Sequence, residues 1–394
     1  MGSQKWVLLN SHRVAHEIIN KRASVTNERP DFPIANDIVS DNARVVLRQM
    51  RTWQDARKVM HPLLNGTSIK AYAPILENES LLLLQNYLEH PRDWYVHNFQ
   101  YGYRTIHQIV VGQHSGHSSL QLHEFQRVTV EFLRYINASL VDYFPILHTL
   151  PKALQCWRPY WEQIGADHKA VLDAWREPVR QSIAEGRAPD SFIKSLIQTH
   201  SKFSTNESEA LQIATSIVEA GSDNVRMGLN ALTMVAIDQP HVVSKVRAEI
   251  DGVCGTSELR LPTIADMDRL PYVLATIKEC LRWRPNIPIA IIPQHRLIED
   301  LEFEEYRFQA GTDFLVNSAA VSRECAHPDL FMPERWLGES PHHNSSIISG
   351  LWSFGGGHRI CVGYKIAQQE LFIAFSRLLY CFEFESVCMN CLQG

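Results

Sequence analysis

The sequence predicts a mainly α-helical fold: one large domain over residues 1–394, with a small β component and a long central helix. Three observations carry that expectation. From Glu207 to about Ile237, apolar residues recur at helical spacing (Leu211, Ala214, Ile217, Val218, Leu229, Leu232, Val235). About thirty such residues, at roughly 1.5 Å each, cross a whole domain. Pro240 and Pro271 each open a further helical pattern. β-like patterns are confined to short stretches, and no repeat, low-complexity tract or linker divides the chain.

Taken in order, Trp53 and Arg57 stand one turn apart in a helical segment and share a face. Near the middle of the long helix, Ala220-Gly221-Ser222-Asp223-Asn224 interrupts the apolar pattern with a glycine and three small polar residues. The helix opened by Pro240 puts Val243, Val246 and Ile250 on one face. Thr263 and Asp266 have capping-box spacing, and the Pro271 helix runs to Arg284 and stops at Pro285. Ile287 to Ile292 and Phe314 to Asn317 are β-like, with the turn residues Ala310-Gly311-Thr312 between them. Residues 320–350 lack periodicity and form an irregular connector. A last helical pattern starts at about Val362.

The chain has 394 residues, 45% hydrophobic and 21% charged, the composition of an ordinary globular protein with a sizeable core. A formal net charge of −5 and the lack of any basic run give no support for nucleic-acid binding. The eight cysteines are scattered, so reduced thiols are expected rather than a disulfide framework. Cys388-Met389-Asn390-Cys391 has no second pair and is weak evidence for zinc or redox chemistry. No window holds the roughly 18 apolar residues of a membrane span, and the first fifteen residues do not form a signal peptide. The chain as given therefore reads as soluble.

The residues that carry chemistry begin with Phe354-Gly355-Gly356-Gly357-His358-Arg359-Ile360-Cys361-Val362-Gly363. A lone cysteine sits there between a glycine-rich turn and a helix start, where backbone N–H groups and the helix dipole lower a thiol pKa. Glycines let the backbone pass close under a flat object, and Arg359 is placed to meet an anionic group on it. His358 is expected at the surface and not as a ligand. Glu279 and Arg282 share a helix face and can pair, a spacing that taken alone favours a solvated surface pair. Pro333-Glu334-Arg335-Trp336 lies between that helix and the cysteine loop. Trp53 and Arg57 could meet an anion together, or be a partly buried tryptophan beside a solvated arginine.

These motifs follow in the order of the cytochrome P-450 (heme-thiolate monooxygenase) family, which the chain resembles from about residue 6 to 385. F-x-x-G-x-R-x-C-x-G is similar to the family's heme-binding signature, so the resemblance implies heme b with an axial thiolate from Cys361. Phe354, Gly357 and Gly363 belong to the same signature. It implies that Trp53, Arg57 and Arg359 meet the heme propionates, with His295 and Arg296 as weaker candidates. It also implies that Glu279, Arg282 and Arg335 form a buried network bracing the cysteine loop. No C-x-x-C-H motif occurs, so the heme is expected to be non-covalently held.

Ala220, Gly221, Asp223 and Asn224 resemble the family's A-G-x-D-T oxygen-binding segment. There the glycine would permit a local opening of the helix, and Asp223 would connect protons from solvent. Asn224 replaces the usual threonine and cannot pass a proton through a hydroxyl. Val218, Ala220, Gly221 and Ile287 to Ala290 are expected to line the pocket.

The resemblance implies insertion of one oxygen atom from O2 into an apolar small-molecule substrate. It also implies electrons from an NADPH-cytochrome reductase, or a cytochrome b-type donor. E-A-G-S-D and P-E-R-W are similar to filamentous-fungal members that tailor secondary metabolites. Such members sit on the cytosolic face of the endoplasmic reticulum membrane. Compared with them, the chain is expected to lack an N-terminal anchor and a C-terminal β region, as a shortened product would. Two alternatives stand beside monooxygenation: a heme-thiolate enzyme of rearrangement, dehydration or coupling, or a truncated inactive paralogue.

Overall fold

Helices form where apolar residues return every three or four positions, and among the described residues the named strands pair in two small sheets. The computed structural model describes residues 4–64, 66–112, 119–135, 139–189, 191–199, 206–255, 260–289, 294–338 and 346–386. The longer helices are α1 (Met50–Leu64), α2 (Ala73–Glu89), α3 (Trp94–Val111), α4 (Ser119–Tyr135) and α5 (Arg158–Ala184). They continue with α6 (Phe192–Thr199), α7 (Glu207–Asp238), α8 (Pro240–Cys254), α9 (Pro271–Trp283) and α10 (Tyr364–Cys381).

The central helix α7 is the axle. Asn206 caps it, its Oδ1 accepting the Glu209 N–H at 2.8 Å. It runs 32 residues, and Pro240 then starts α8. The main apolar core gathers Leu83 and Tyr87 of α2, Tyr103 and Ile106 of α3, Val218 and Leu229 of α7, Ile277 of α9, and Phe372 of α10. The predicted capping box is present: Thr263 and Asp266 cap a 3₁₀ turn at Ile264–Arg269.

Strands β1 (Trp6–Leu9), β2 (His295–Arg296) and β5 (Asp313–Val316) form one sheet in the order β1-β5-β2. β1 runs parallel to β5 with Trp6 opposite Asp313, which ties the N-terminal segment to a strand far along the chain. β3 (Leu301–Phe303) and β4 (Tyr306–Phe308) make an antiparallel hairpin. A second apolar cluster joins Leu9, Ile18, Phe314 and Trp352, and so seats the segment before Cys361 against residues 16–20.

Two expectations shift. Residues 287–289 are bends and not a strand, because Pro285 and Pro288 offer no N–H to a ladder; residues 290–292 lie outside the described residues. The predicted strand Phe314–Asn317 is present one residue earlier, as β5. Val387–Cys391, with the CxxC pair, also lie outside the described residues. No helix among the described residues is long and apolar enough to cross a membrane.

Candidate functional site

The deepest polar group of the site is Glu279, fully buried on α9. Its Oε1 accepts from Arg282 Nη2 at 2.8 Å, Arg335 Nε at 3.1 Å and the Met332 N–H at 2.9 Å. Its Oε2 accepts from Arg282 Nε at 2.8 Å and Trp336 Nε1 at 2.9 Å. The two arginines pass the network outward to the carbonyls of Ser322, Ala326, His327, Pro328 and Leu330. A buried carboxylate is tolerable only with such full satisfaction. The result is an irregular connector locked to a helix. The Ser353 hydroxyl then donates to Leu281 carbonyl at 3.3 Å, joining α9 to the cysteine loop. The Trp336 indole was missed as a donor, although it stands in the same four-residue motif.

The loop folds as its glycines allow. Gly357 has φ +59°, and a Cβ there would lie 2.4 Å from the Ile19 carbonyl oxygen. The Gly357 N–H donates to Asn20 Oδ1 at 2.7 Å, and the Cys361 N–H donates to the Phe354 carbonyl at 2.8 Å. Phe354 packs its ring on the main core. Helix α10 starts at Tyr364, two residues later than predicted, with Gly363 as its N-cap. Cys361 is set deep among protein atoms, yet its surface is open, so it faces an interior space. Burial raises the thiol pKa, against the Gly363 N–H and the Arg57 charge, which lower it. This corrects the expected lowering: the backbone groups are present, but desolvation outweighs them. His358 is exposed, as expected, and its Nδ1 faces Asn27 Nδ2 at 3.0 Å.

Trp53, Arg57 and Arg359 come together beside this loop. The Arg57 guanidinium carbon lies 5.3 Å from the Trp53 ring centre, and that of Arg359 lies 4.8 Å from the same ring. Arg57 Nη1 donates to the carbonyl of Ile360 at 2.7 Å. Arg359 donates through Nε to Asn27 carbonyl and through Nη2 to Arg48 carbonyl at 2.9 Å, while its buried Nη1 has no partner among the described residues. Burial pushes its pKa down to about 10, Glu28 opposing. Glu28, at 3.9 Å, is the one carboxylate within ion-pair reach of Arg359 among the described residues. Buried Arg29 adds a further cation close by. A cluster this short of anions suits an acidic ligand.

The weaker candidates separate. Arg296 is held by Asp313 in a two-pronged pair at 2.8 and 2.9 Å and so serves the sheet. His295 bonds Thr26 carbonyl through Nδ1 at 3.0 Å, with burial and then Arg29 pushing its pKa down to about 3.

On α7 the stripe Ile213, Ile217, Ala220, Asn224 follows i, i+4, i+7, i+11. Its first half packs in a cluster with Trp53, Val59 and Val362, the neighbour of Cys361. One turn on, Ala220 and Asn224 are exposed in mid-helix on the same face as Ile217. Asn224 Nδ2 donates to Ala220 carbonyl at 2.9 Å. The other members of the segment turn away. Asp223 is buried in an ion pair with Arg226 at 2.6 Å, and Arg226 also meets Tyr95 of α3. The carboxylate is therefore not open to the space, contrary to expectation. Gly221 lies against α3, where a Cβ would meet Ile106 at 2.6 Å; the helix is continuous there and shows no opening. Val218 is wholly buried in the core and lines nothing. Ile287 and Ile289 are 40% and 38% exposed.

Asn286 was not foreseen. Its Nδ2 donates to Asn224 carbonyl at 3.0 Å, joining the segment after α9 to the open part of α7. A lone polar residue in the run Pro285-Asn286-Ile287-Pro288-Ile289 was the available signal.

The family model for cytochrome P450 matches residues 1–390. Cytochrome P450 monooxygenase 58 of Postia placenta is 30% identical over 400 positions, covering 96% of this chain and 74% of that protein. Cytochrome P450 monooxygenase fogE of Aspergillus ruber is 27% identical, covering 98% of this chain and 73% of its own. A zebra fish cytochrome P450 structure with abiraterone superposes with a TM-score of 0.74 at 20% identity, covering 96% of this chain and 86% of that one.

Proposed function

The chain belongs to the cytochrome P450 family, a heme b monooxygenase with an axial cysteine thiolate, and on that premise we propose that Cys361 is the axial ligand and an apolar small molecule the substrate. The observation that carries this reading is the pairing of an open, deeply set Cys361 with the orphaned Arg359 Nη1 beside Trp53 and Arg57. These residues fit a flat dianionic ligand: the Cys361 thiol would hold its metal, and the Arg57 and Arg359 guanidinium groups with the Trp53 indole would meet its carboxylates.

When bound, the heme supplies the activation of dioxygen and the oxidation of a substrate carbon. The chain's residues do the rest. Arg57 and Arg359 hold the carboxylates and keep positive charge near the sulfur. The Gly363 N–H bonds the sulfur, and the Glu279–Arg282–Arg335 network fixes the connector from which the loop hangs. Ala220, Ile287 and Ile289 keep the space apolar and exclude water. Asn224 stands where a hydroxyl would relay a proton, so water carries that proton, and Asp223 takes part only when its pair with Arg226 opens.

The whole of residues 1–394 acts as one domain in this reading. Electrons come from a reductase of the NADPH-cytochrome type, the setting is the cytosolic face of the endoplasmic reticulum, and the pathway is fungal secondary metabolism. The two sequence relatives named above, from Postia placenta and Aspergillus ruber, are fungal monooxygenases.

The test is the carbon monoxide difference spectrum of the reduced, heme-loaded chain. A strongly red-shifted Soret band supports the Cys361 thiolate, and Cys361→Ala should abolish it. Retention of that band in the variant overturns the assignment. Labelled O2 then separates insertion from rearrangement, which Asn224 favours because it lacks a hydroxyl.

A further inference from the structure

Two consecutive glycines of the cysteine loop close on Asn20 and its neighbour. A Cβ at Gly356 would lie 2.5 Å from Asn20 Oδ1, and one at Gly357 would lie 2.4 Å from the Ile19 carbonyl oxygen. The Gly357 N–H donates to that same Oδ1 at 2.7 Å. A backbone N–H only donates, so this bond settles which end of the amide is the oxygen. The nitrogen end therefore faces His16, whose Nδ1 lies 2.9 Å from Asn20 Nδ2. An amide nitrogen also only donates, so His16 Nδ1 accepts, and the ring is neutral with its proton on Nε2. Residues 16–20 form a π-helical turn, in which the Lys21 N–H reaches the His16 carbonyl five residues back at 3.1 Å. Such turns are rare and concentrate at functional sites.

We propose that His16 and Asn20 are positioning residues for the Cys361 loop, and that protonation of His16 releases the loop from Asn20. The inference rests on the reading of Cys361 as the axial ligand and adds how that ligation responds to pH. Histidine changes charge between about pH 5 and 8. Once Nδ1 carries a proton, it meets an N–H of Asn20 Nδ2 instead of donating or accepting. A charged imidazolium bonds about twice as strongly as a neutral donor, so it draws Oδ1 away from Gly357. The amide turns, and the Gly357 N–H is left facing a donor. One hydrogen bond of ordinary strength is worth about three- to tenfold in an equilibrium. The charged groups around His16 are otherwise engaged. Glu17 is taken by Lys21 and Arg22, Arg13 by Glu304, and Glu324 by the His12 N–H, while the His12 ring stands 6.5 Å away.

The experiment uses the heme-loaded chain, after its red-shifted carbon monoxide band has been recorded, and follows heme transfer to excess apomyoglobin at pH 7.5 and pH 5.8. The ratio of the two rates is compared among the native chain, Asn20→Asp and His16→Gln. A carboxylate at position 20 accepts from both Gly357 and a protonated His16, so Asn20→Asp keeps the anchor in acid. A glutamine at position 16 presents an oxygen to Asn20 and does not titrate. The acid-to-neutral ratio of the native chain should exceed that of either variant by about threefold or more. His358, the loop's own histidine, faces Asn27 Nδ2 at 3.0 Å, and His358→Gln should leave the native ratio in place. Equal ratios in the native chain and both variants overturn the proposal, as does a ratio that falls in His358→Gln alone. Where one variant fails to fold, the other decides. Absence of the red-shifted band at the outset overturns the functional reading, and its presence with equal ratios removes this inference alone.

Discussion

Arg57 reaches from α1 to donate its Nη1 to the carbonyl of Ile360 at 2.7 Å, the peptide that immediately precedes Cys361. The contact spans 303 residues of sequence and fixes the direction in which the cysteine leaves the loop. It also places a cation where it lowers the thiol pKa against the burial that raises it.

Removing that contact should therefore loosen the sulfur more than the fold. Arg57→Ala is expected to lower the heme-to-protein ratio several-fold and convert part of the red-shifted carbon monoxide band to the blue-shifted position. Arg57→Lys keeps the charge but not the planar fork, and should fall between. Heme content and band position measured on the three proteins check this. Identical values would show that Ile360 is held by its own backbone.

Glu279 is a different case, because its value is structural. Truncation to alanine leaves Arg282, 3% exposed, and Arg335, 12% exposed, without their shared carboxylate. Breaking a buried pair from one side costs about 3–5 kcal/mol. Urea unfolding of the heme-free chain should show that loss for Glu279→Ala. The exposed Lys58, paired with Asp55 on the surface of α1, should tolerate alanine within error. Equal effects at the two positions would mean that the network adds nothing beyond a surface pair.

What the sequence made legible was what local chemistry determines. Helical periodicity marked α7 to within a residue, Pro240 and Pro271 marked the starts of α8 and α9, and motif order brought Trp53, Arg57, Arg359 and Cys361 to one place. What it hid depends on which way a side chain turns in three dimensions. Ser222, Asp223 and Gly221 are neighbours of Asn224, yet a hundred degrees per residue sends them toward α3 while Asn224 stays exposed. Asn286 meets Asn224 across 62 residues, a pairing that periodicity cannot express. The thiol of Cys361 was read from its N–H neighbours, whereas its depth, a property of the whole fold, sets the direction of its pKa.

The pair formed by Asp223 and Arg226 gives a third expectation. Both side chains are under 10% exposed and stand 2.6 Å apart, with Tyr95 as a further partner of the guanidinium. Asp223→Asn should cost about 3 kcal/mol of unfolding free energy, and Arg226→Gln a similar amount. The double variant should lose less than the sum, because the second change removes a partner already unpaired. Strict additivity in urea unfolding would show that the two groups do not interact.

Acid should weaken the end of the molecule that holds His295. Its folded pKa is about 3, burial being the main cause, with Arg29 and Arg359 adding repulsion and the Thr26 carbonyl opposing. An unfolded histidine titrates near 6.5. Between those values the unfolded chain binds a proton that the folded chain refuses. Stability is therefore full above about pH 6.5 and is lost as pH falls toward 3, by at most about 1.4 kcal/mol per pH unit. Arg29 and Arg359, as guanidinium groups, stay charged across that window, and Glu28 is the carboxylate that faces Arg359. His295→Gln can still donate to Thr26 carbonyl but cannot titrate. The unfolding midpoint of the heme-free chain, followed from pH 7.5 to 5.0, should fall more steeply for the native sequence than for this variant. Parallel curves would place the histidine's folded pKa near its ordinary value and assign the acid loss to other groups.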